Sequence, residues 1–178
     1  MGVETLAVLG AGDKGVAVAR LAALAGLHVR LWDPSEAALR GAILLVRQRL
    51  EEAVRDGAPA AHRQTILDGV LATTDLEEAV AGADAVLEAG PEASDIRCQV
   101  LARAADAEPG AALLASGSVE EVARGLGDPT RLAGLLLGEG AVGRAPRAVG
   151  VPSSSPAALE AARAVAGALS RAAALHEA

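Results

Sequence analysis

The stretch LAVLGAGDKGVAVARLAALAG, residues 6–26, constrains the fold more than any other part of the chain. An apolar run enters a glycine turn, Gly10-Ala11-Gly12-Asp13-Lys14-Gly15, and leaves as an Ala-rich sequence with helical spacing. Residues 5–9 predict a short buried strand, and residues 14–25 a helix that stops at Gly26. Residues 27–32 (LHVRLW) alternate into a second strand, which ends at Asp33-Pro34. Strand, helix, strand in that span is a βαβ unit, and its crossover is expected to be right-handed.

The rest of the chain continues the alternation. Ser35 followed by acids opens a long amphipathic helix over residues 35–56, with Gly57 and Pro59 after it. A second helical piece at 60–68 runs back to residues 70–72. TTDLEEAVAGADAVLEAGPE, residues 73–92, reads as a capped short helix, a turn at Gly82 and a strand at 84–89. Helices follow at 94–107 and 118–125, with strands at 111–116 and 131–137. A Gly/Pro-rich stretch at 138–156 leads to an Ala-rich helix at 156–170, and the tail 171–178 is expected to form a last edge strand. Short apolar strands alternating with helices predict an α/β fold, Rossmann-type and doubly wound, with a mainly parallel sheet and a helical insertion. At 178 residues the expectation is a single domain, 1–178.

Composition narrows what such a fold can do. Apolar residues make up 52% of the chain, yet Phe and Tyr are absent and Trp32 is the only aromatic. The core must be built from Ala, Leu and Val, and aromatic platforms for stacking on single-stranded nucleic acid are missing. A net charge of −7 repels phosphate backbones and anionic membrane surfaces, so neither nucleic acid nor membrane is an expected partner. Glu4 interrupts the N-terminus early, which argues against a signal peptide, and Arg, Asp or Gly breaks every long apolar stretch. Cys98 is the only cysteine, so no intrachain disulfide forms and a cytoplasmic location is expected. No metal site is expected.

Each part of the glycine turn has a physical task in holding a dinucleotide. Gly10 permits the tight turn, Gly12 lets backbone approach a pyrophosphate, and Gly15 lets the helix pack on the sheet. The helix N-terminus at Ala11–Gly15 adds donors and a positive dipole end. Asp33, at the end of the second strand, is placed to accept from the adenosine ribose hydroxyls, which favours NAD over NADP. The plainer alternative is a tight βα turn with Asp33 merely starting the next loop. Asp13 and Lys14 act in opposite senses on a bound phosphate, one repelling and one attracting.

Beyond the glycines, the chain resembles the NAD-binding domain of 3-hydroxyacyl-CoA dehydrogenases. VLGAGDKG is similar to that family's V-x-G-A-G-x-M-G, and LWDPSEAAL to its strand ending in Asp-x-Ser/Pro. ATTDLEEAVAGADAVLEAGPE resembles T-x-D-L-x-x-A-V-x-x-A-D-x-V-x-E-A-V-P-E, the most specific match. DPTRLAGLLL is similar to P-x-R-x-x-G-x-H-F-F-N-P, and VPSSSPAALEAARAVAGALSR to the end of that domain. The resemblance implies that Gly10, Gly12, Gly15 and Asp33 bind the cofactor and that Ala89 and Gly90 lie over it. It sets Glu92 near the nicotinamide end, and Arg97 where the family has a lysine that reaches the cofactor and the acyl-CoA side. The plainer reading of Glu92 and Arg97 is an exposed pair at a helix start. Ser116 is kept from the family's LASNTSS loop, which here is shorter and lacks the asparagine.

The departures bear on activity. The family's histidine base falls at Leu136, the Asn-Pro after it at Glu139-Gly140, and its glutamate partner at Arg147 or Ala148, depending on one gap. None of His28, His62 and His176 has an acid in a position matching that dyad, a solvated Glu139 is a poor substitute, and Cys98 is expected to be buried and unreactive. The family's helical C-terminal domain does not appear among these 178 residues. No catalytic residue is therefore assigned. The expectation is an NAD(H)-binding protein, catalytically impaired by itself, with an acyl-CoA as a second candidate ligand. Two alternatives stand beside it: an active oxidoreductase completed by another subunit, and a ligand-free interaction or scaffold protein. Helix 156–170 borders the second domain in the resembling family, so a bare apolar face there predicts a homo-oligomer.

Overall fold

A computed structural model describes residues 2–55, 69–90, 94–137 and 145–174. Its strands are β1 (Thr5–Leu9), β2 (His28–Trp32), β3 (Val70–Thr73), β4 (Ala85–Glu88), β5 (Ala112–Ala115), β6 (Leu132–Leu136) and β7 (Arg147–Val149). Its helices are α1 (Asp13–Leu24), α2 (Glu36–Arg55), α3 (Leu76–Val80), α4 (Ser94–Ala107), α5 (Val119–Gly125) and α6 (Pro156–Ala174). They form one seven-stranded sheet in the order β3-β2-β1-β4-β5-β6-β7. The first six strands are parallel, and β7 pairs antiparallel with β6. The mainly parallel, doubly wound sheet expected from the sequence is present. Of the helical insertion, α2 is described, and the piece expected at 60–68 lies outside the described residues.

The strand sequences show why both faces are covered. In β1, Leu6 and Val8 join a core with α1, α2 and α6, while Ala7 and Leu9 join a second core with α3, α4 and α5. A parallel strand buried on both faces reads as a near-continuous apolar run, as β5 does throughout, β1 after Thr5 and β4 up to Glu88. Ends are fixed by local chemistry. The Asp75 carboxylate accepts from the Glu78 N–H and caps α3, and the Ser35 hydroxyl accepts from the Ala38 N–H at the start of α2. The Arg131 guanidinium donates to the carbonyls of Ala105, Glu108, Pro109 and Ala111, tying the end of α4 to the start of β6.

The C-terminal part differs from expectation in two respects. Residues 171–174 continue α6 instead of forming an edge strand. Ala158, Ala162, Val165, Ala166, Leu169 and Ala172 form one buried stripe at helical spacing, and nothing between 170 and 174 interrupts it. The edge strand is β7, drawn from the stretch read as a Gly/Pro-rich connection. Residues 137–146 are too few for a helical crossover, so the chain returns antiparallel.

The α6 stripe is not the bare apolar face on which the homo-oligomer expectation was placed. It packs against α1, β6 and β7 inside the domain and belongs to the same core as Leu6 and Val8. Leu169 is fully buried, so Leu169→Ala is expected to destabilise the fold by about 2–5 kcal/mol. A urea titration of both forms measures this, and a change below ~1 kcal/mol would contradict the placement of α6 in the core.

Candidate functional site

Six parallel strands end on one side of the sheet, and the strand order reverses between β1 and β4. A crevice at such a switch point is where open α/β sheets take ligands. The glycine turn follows β1 and Asp33 follows β2. Ala89 and Gly90 follow β4, and Ser116 follows β5. The structure therefore brings all but one of the predicted cofactor residues to the carboxyl ends of β1, β2, β4 and β5, with Arg97 reaching there from α4 through Glu88. The exception, Glu92, lies outside the described residues.

The three glycines are held in three different ways. Gly10 has φ +118, and a Cβ there would lie 2.9 Å from the Gly90 nitrogen. A Cβ on Gly15 would overlap the Gly10 carbonyl oxygen, so α1 closes directly onto the turn. Gly12 is exposed, and a Cβ there would meet no protein atom within 4 Å. Two glycines are thus required by the fold itself, whereas the third faces open space above the crevice. Gly12 is also the N-cap of α1 and offers no side-chain bond to the first amides of the helix. Asp13 and Lys14 are exposed beside it in the first turn. An open glycine over uncapped amides fits a pyrophosphate.

Asp33 has both tasks that the sequence left as alternatives within reach. Its Oδ2 accepts from the Ala11 N–H at 2.9 Å, and its Oδ1 from the Ser35 N–H at 2.9 Å. The carboxylate pins the glycine turn to the end of β2, and each oxygen keeps a further lone pair for a ribose hydroxyl. Trp32, just before it, donates from Nε1 to the Thr74 carbonyl at 3.0 Å.

The far side of the crevice corrects the picture of Arg97 as exposed at a helix start. Arg97 is buried, and its Nε lies 3.3 Å from Oε2 of Glu88, itself 2% exposed at the end of β4. Glu88 Oε1 accepts from the Gly90 N–H at 2.6 Å. Burial pushes the Glu88 carboxyl above the usual carboxylate range, while the Arg97 guanidinium, the Gly90 amide and Lys14 pull the other way. The Arg97 guanidinium presses on Gly117, where any Cβ would collide with it. Ser116 Oγ is shielded from solvent and has no hydrogen-bond partner among the described residues. Glu88 was not singled out from the sequence. The available signal was an acid closing an otherwise apolar, fully buried strand.

The positions expected to carry proton chemistry lie on β6 and β7. The register pairs Leu136 with Arg147 and Leu135 with Ala148, so Arg147 stands directly opposite Leu136. His28 is exposed at the opposite end of β2, while His62, His176, Glu139 and Gly140 lie outside the described residues. Cys98 is half-buried on α4, less so than expected, and burial with the neighbouring acids Asp95, Glu121 and Glu88 raises its thiol pKa. That holds the sulfur in its unreactive form. Among the described residues no group of three or more His, Cys, Asp or Glu side chains is arranged to hold a metal ion. No described helix is long and apolar enough to cross a membrane.

Comparison with known proteins agrees with this geometry. Residues 5–135 match the family described as 3-hydroxyacyl-CoA dehydrogenase, NAD binding domain. The chain is 34% identical over 138 residues to the 3-hydroxyadipyl-CoA dehydrogenase of Escherichia coli K12, covering 75% of this chain and 29% of that protein. Among solved structures, the 3-hydroxybutyryl-CoA dehydrogenase of Escherichia coli K12 superposes with a TM-score of 0.87 at 27% identity, over 95% of this chain and 37% of that one. FadB2 of M. tuberculosis gives 0.85 at 25% identity, over 94% and 62%. The chain thus spans less than two thirds of each of these relatives. Turn, switch point and family match together place this chain in the 3-hydroxyacyl-CoA dehydrogenase family, as a member of its NAD-binding domain.

Proposed function

We propose that residues 1–178 form one dinucleotide-binding domain that holds NAD(H) and, by itself, turns over no 3-hydroxyacyl substrate. Gly10, Gly12 and Gly15 with the first amides of α1 would hold the pyrophosphate, and Asp33 the adenosine ribose. Bound there, NAD supplies a hydride acceptor at its nicotinamide. The chain's own residues would have to take the proton from the substrate hydroxyl. The observation carrying this reading is the pairing of Leu136 with Arg147, an alkyl group opposite a cation. Neither accepts a proton near neutral pH, which forgoes general-base help of roughly 10²–10⁴ in rate. The lone Cys98 supports a cytoplasmic site of action.

The test is NADH oxidation with a 3-ketoacyl-CoA, measured for the wild type and Asp33→Ala beside NAD titrations of both. Binding by the wild type, weakened in Asp33→Ala, with no turnover above background in either, is the expected result. Turnover that disappears in Asp33→Ala would overturn it in favour of an oxidoreductase with another proton acceptor.

A further inference from the structure

Strand pairing between β1 and β4 ends at Leu9 and Glu88, and the Ala89 N–H donates to the Leu9 carbonyl at 2.9 Å. The next amide, the Gly90 N–H, donates instead to the side chain of Glu88, at 2.6 Å. Gly90 lies directly against the glycine turn, since a Cβ on Gly10 would be 2.9 Å from its nitrogen. The loop after β4 and the turn after β1 therefore meet in a close backbone contact at the switch point. One carboxylate oxygen of Glu88 fixes the β4 side of that contact.

Glu88 is held in turn from the α4 side. Arg97 Nε lies 3.3 Å from its Oε2, and the guanidinium fills the space that a side chain at Gly117 would take. From the first turn of α1, Lys14 also favours the charged carboxylate. A pair buried this deeply is a poor source of stability, because well-packed apolar residues of similar volume are often as good or better. What an apolar residue at 88 could not do is accept from the Gly90 N–H. The contribution of the carboxylate is therefore one of position.

We infer that Glu88 is a positioning residue of the dinucleotide site, acting through the Gly90 N–H to hold the β4 loop against Gly10. The inference rests on the nucleotide reading above and deepens it by naming a residue that is itself buried beneath the crevice. When the bond is lost, the loop keeps its place only part of the time, and the apparent Kd rises by the inverse of that fraction. A hydrogen bond to a charged acceptor shifts such an equilibrium by about tenfold or more.

Calorimetric NAD titrations of the wild type and of two double variants test this. Combined with Arg97→Met, Glu88→Gln keeps an acceptor for Gly90 and Glu88→Leu has none, while neither leaves a buried charge unpaired. The glutamine protein is expected to bind NAD at least about fivefold more tightly than the leucine protein, each measured below its melting temperature. A smaller ratio, or no binding by the glutamine protein beside a binding wild type, would overturn the inference and leave the nucleotide reading intact. A merely structural role would move the melting temperatures and not this ratio. In the wild type, the Gly90 amide should gain hydrogen-exchange protection as NAD is added, by about tenfold at ten times the Kd. An unchanged exchange rate at saturating NAD would overturn the inference whether or not the leucine protein folds. Absence of NAD binding by the wild type would overturn both readings.

Discussion

Gly15→Ala is expected to destabilise the domain by about 3 kcal/mol and to abolish nucleotide binding with it, whereas Gly12→Ala should leave stability within ~0.5 kcal/mol and still lose binding. The two substitutions add the same single carbon to the same turn. At position 15 that carbon falls on the Gly10 carbonyl oxygen, a backbone atom with no rotamer to yield, so α1 must move off β1. At position 12 it enters open space and touches no protein atom. What it displaces is the close approach of a ligand's phosphates to the backbone. Urea unfolding of both variants, with an NAD titration beside each, separates a glycine kept for the fold from one kept for the ligand. Equal stability losses in the two would contradict the geometry of the turn.

The second large effect is expected at the buried ion pair. Arg97→Ala leaves the Glu88 carboxylate facing empty, solvent-poor space and should cost about 3–5 kcal/mol near neutral pH. The double variant Glu88→Gln/Arg97→Ala should recover part of that loss, because no unpaired charge remains. The sign of the pH dependence follows from Glu88. Its folded pKa is raised, so the folded chain binds that proton more tightly than the unfolded chain. The stability this group contributes is fully present below the ordinary carboxylate range and is lost as pH rises through the raised value. Removing Arg97 takes away the largest force opposing that rise. The deficit of Arg97→Ala should therefore shrink as pH falls toward the ordinary carboxylate range. Thermal melts of both proteins across pH 4–8 check this, and a deficit that stays constant or grows on acidification would contradict it.

These two sites show what a sequence of this kind displays and what it hides. The turn was legible because each of its properties is local. Gly10 needs positive φ, Gly15 needs contact with its own turn, and Asp33 follows an alternating strand by a fixed interval. The Asp75 cap and the apolar β4 were legible for the same reason. The Glu88–Arg97 pair was not, because a helix-start arginine looks solvated until the packing of α4 against β4 is known. β7 was missed because three residues, Arg147, Ala148 and Val149, carry too little periodicity to be separated from a loop. The apolar stripe of α6 was read as a bare face because part of its cover, α1, lies at the other end of the chain. Cross-strand pairing adds what counting along the chain could not, with Arg147 opposite Leu136 and Ala148 opposite Leu135.

The central claim is that this crevice holds a dinucleotide through the turn and Asp33. Calorimetric titration of the wild-type chain with NAD tests it most directly, with Gly12→Ala as the stability-matched control. The account predicts one saturable site in the wild type, weakened at least about tenfold in Gly12→Ala at an unchanged melting temperature. No saturable binding at millimolar NAD, or equal affinity in the two proteins, would contradict it.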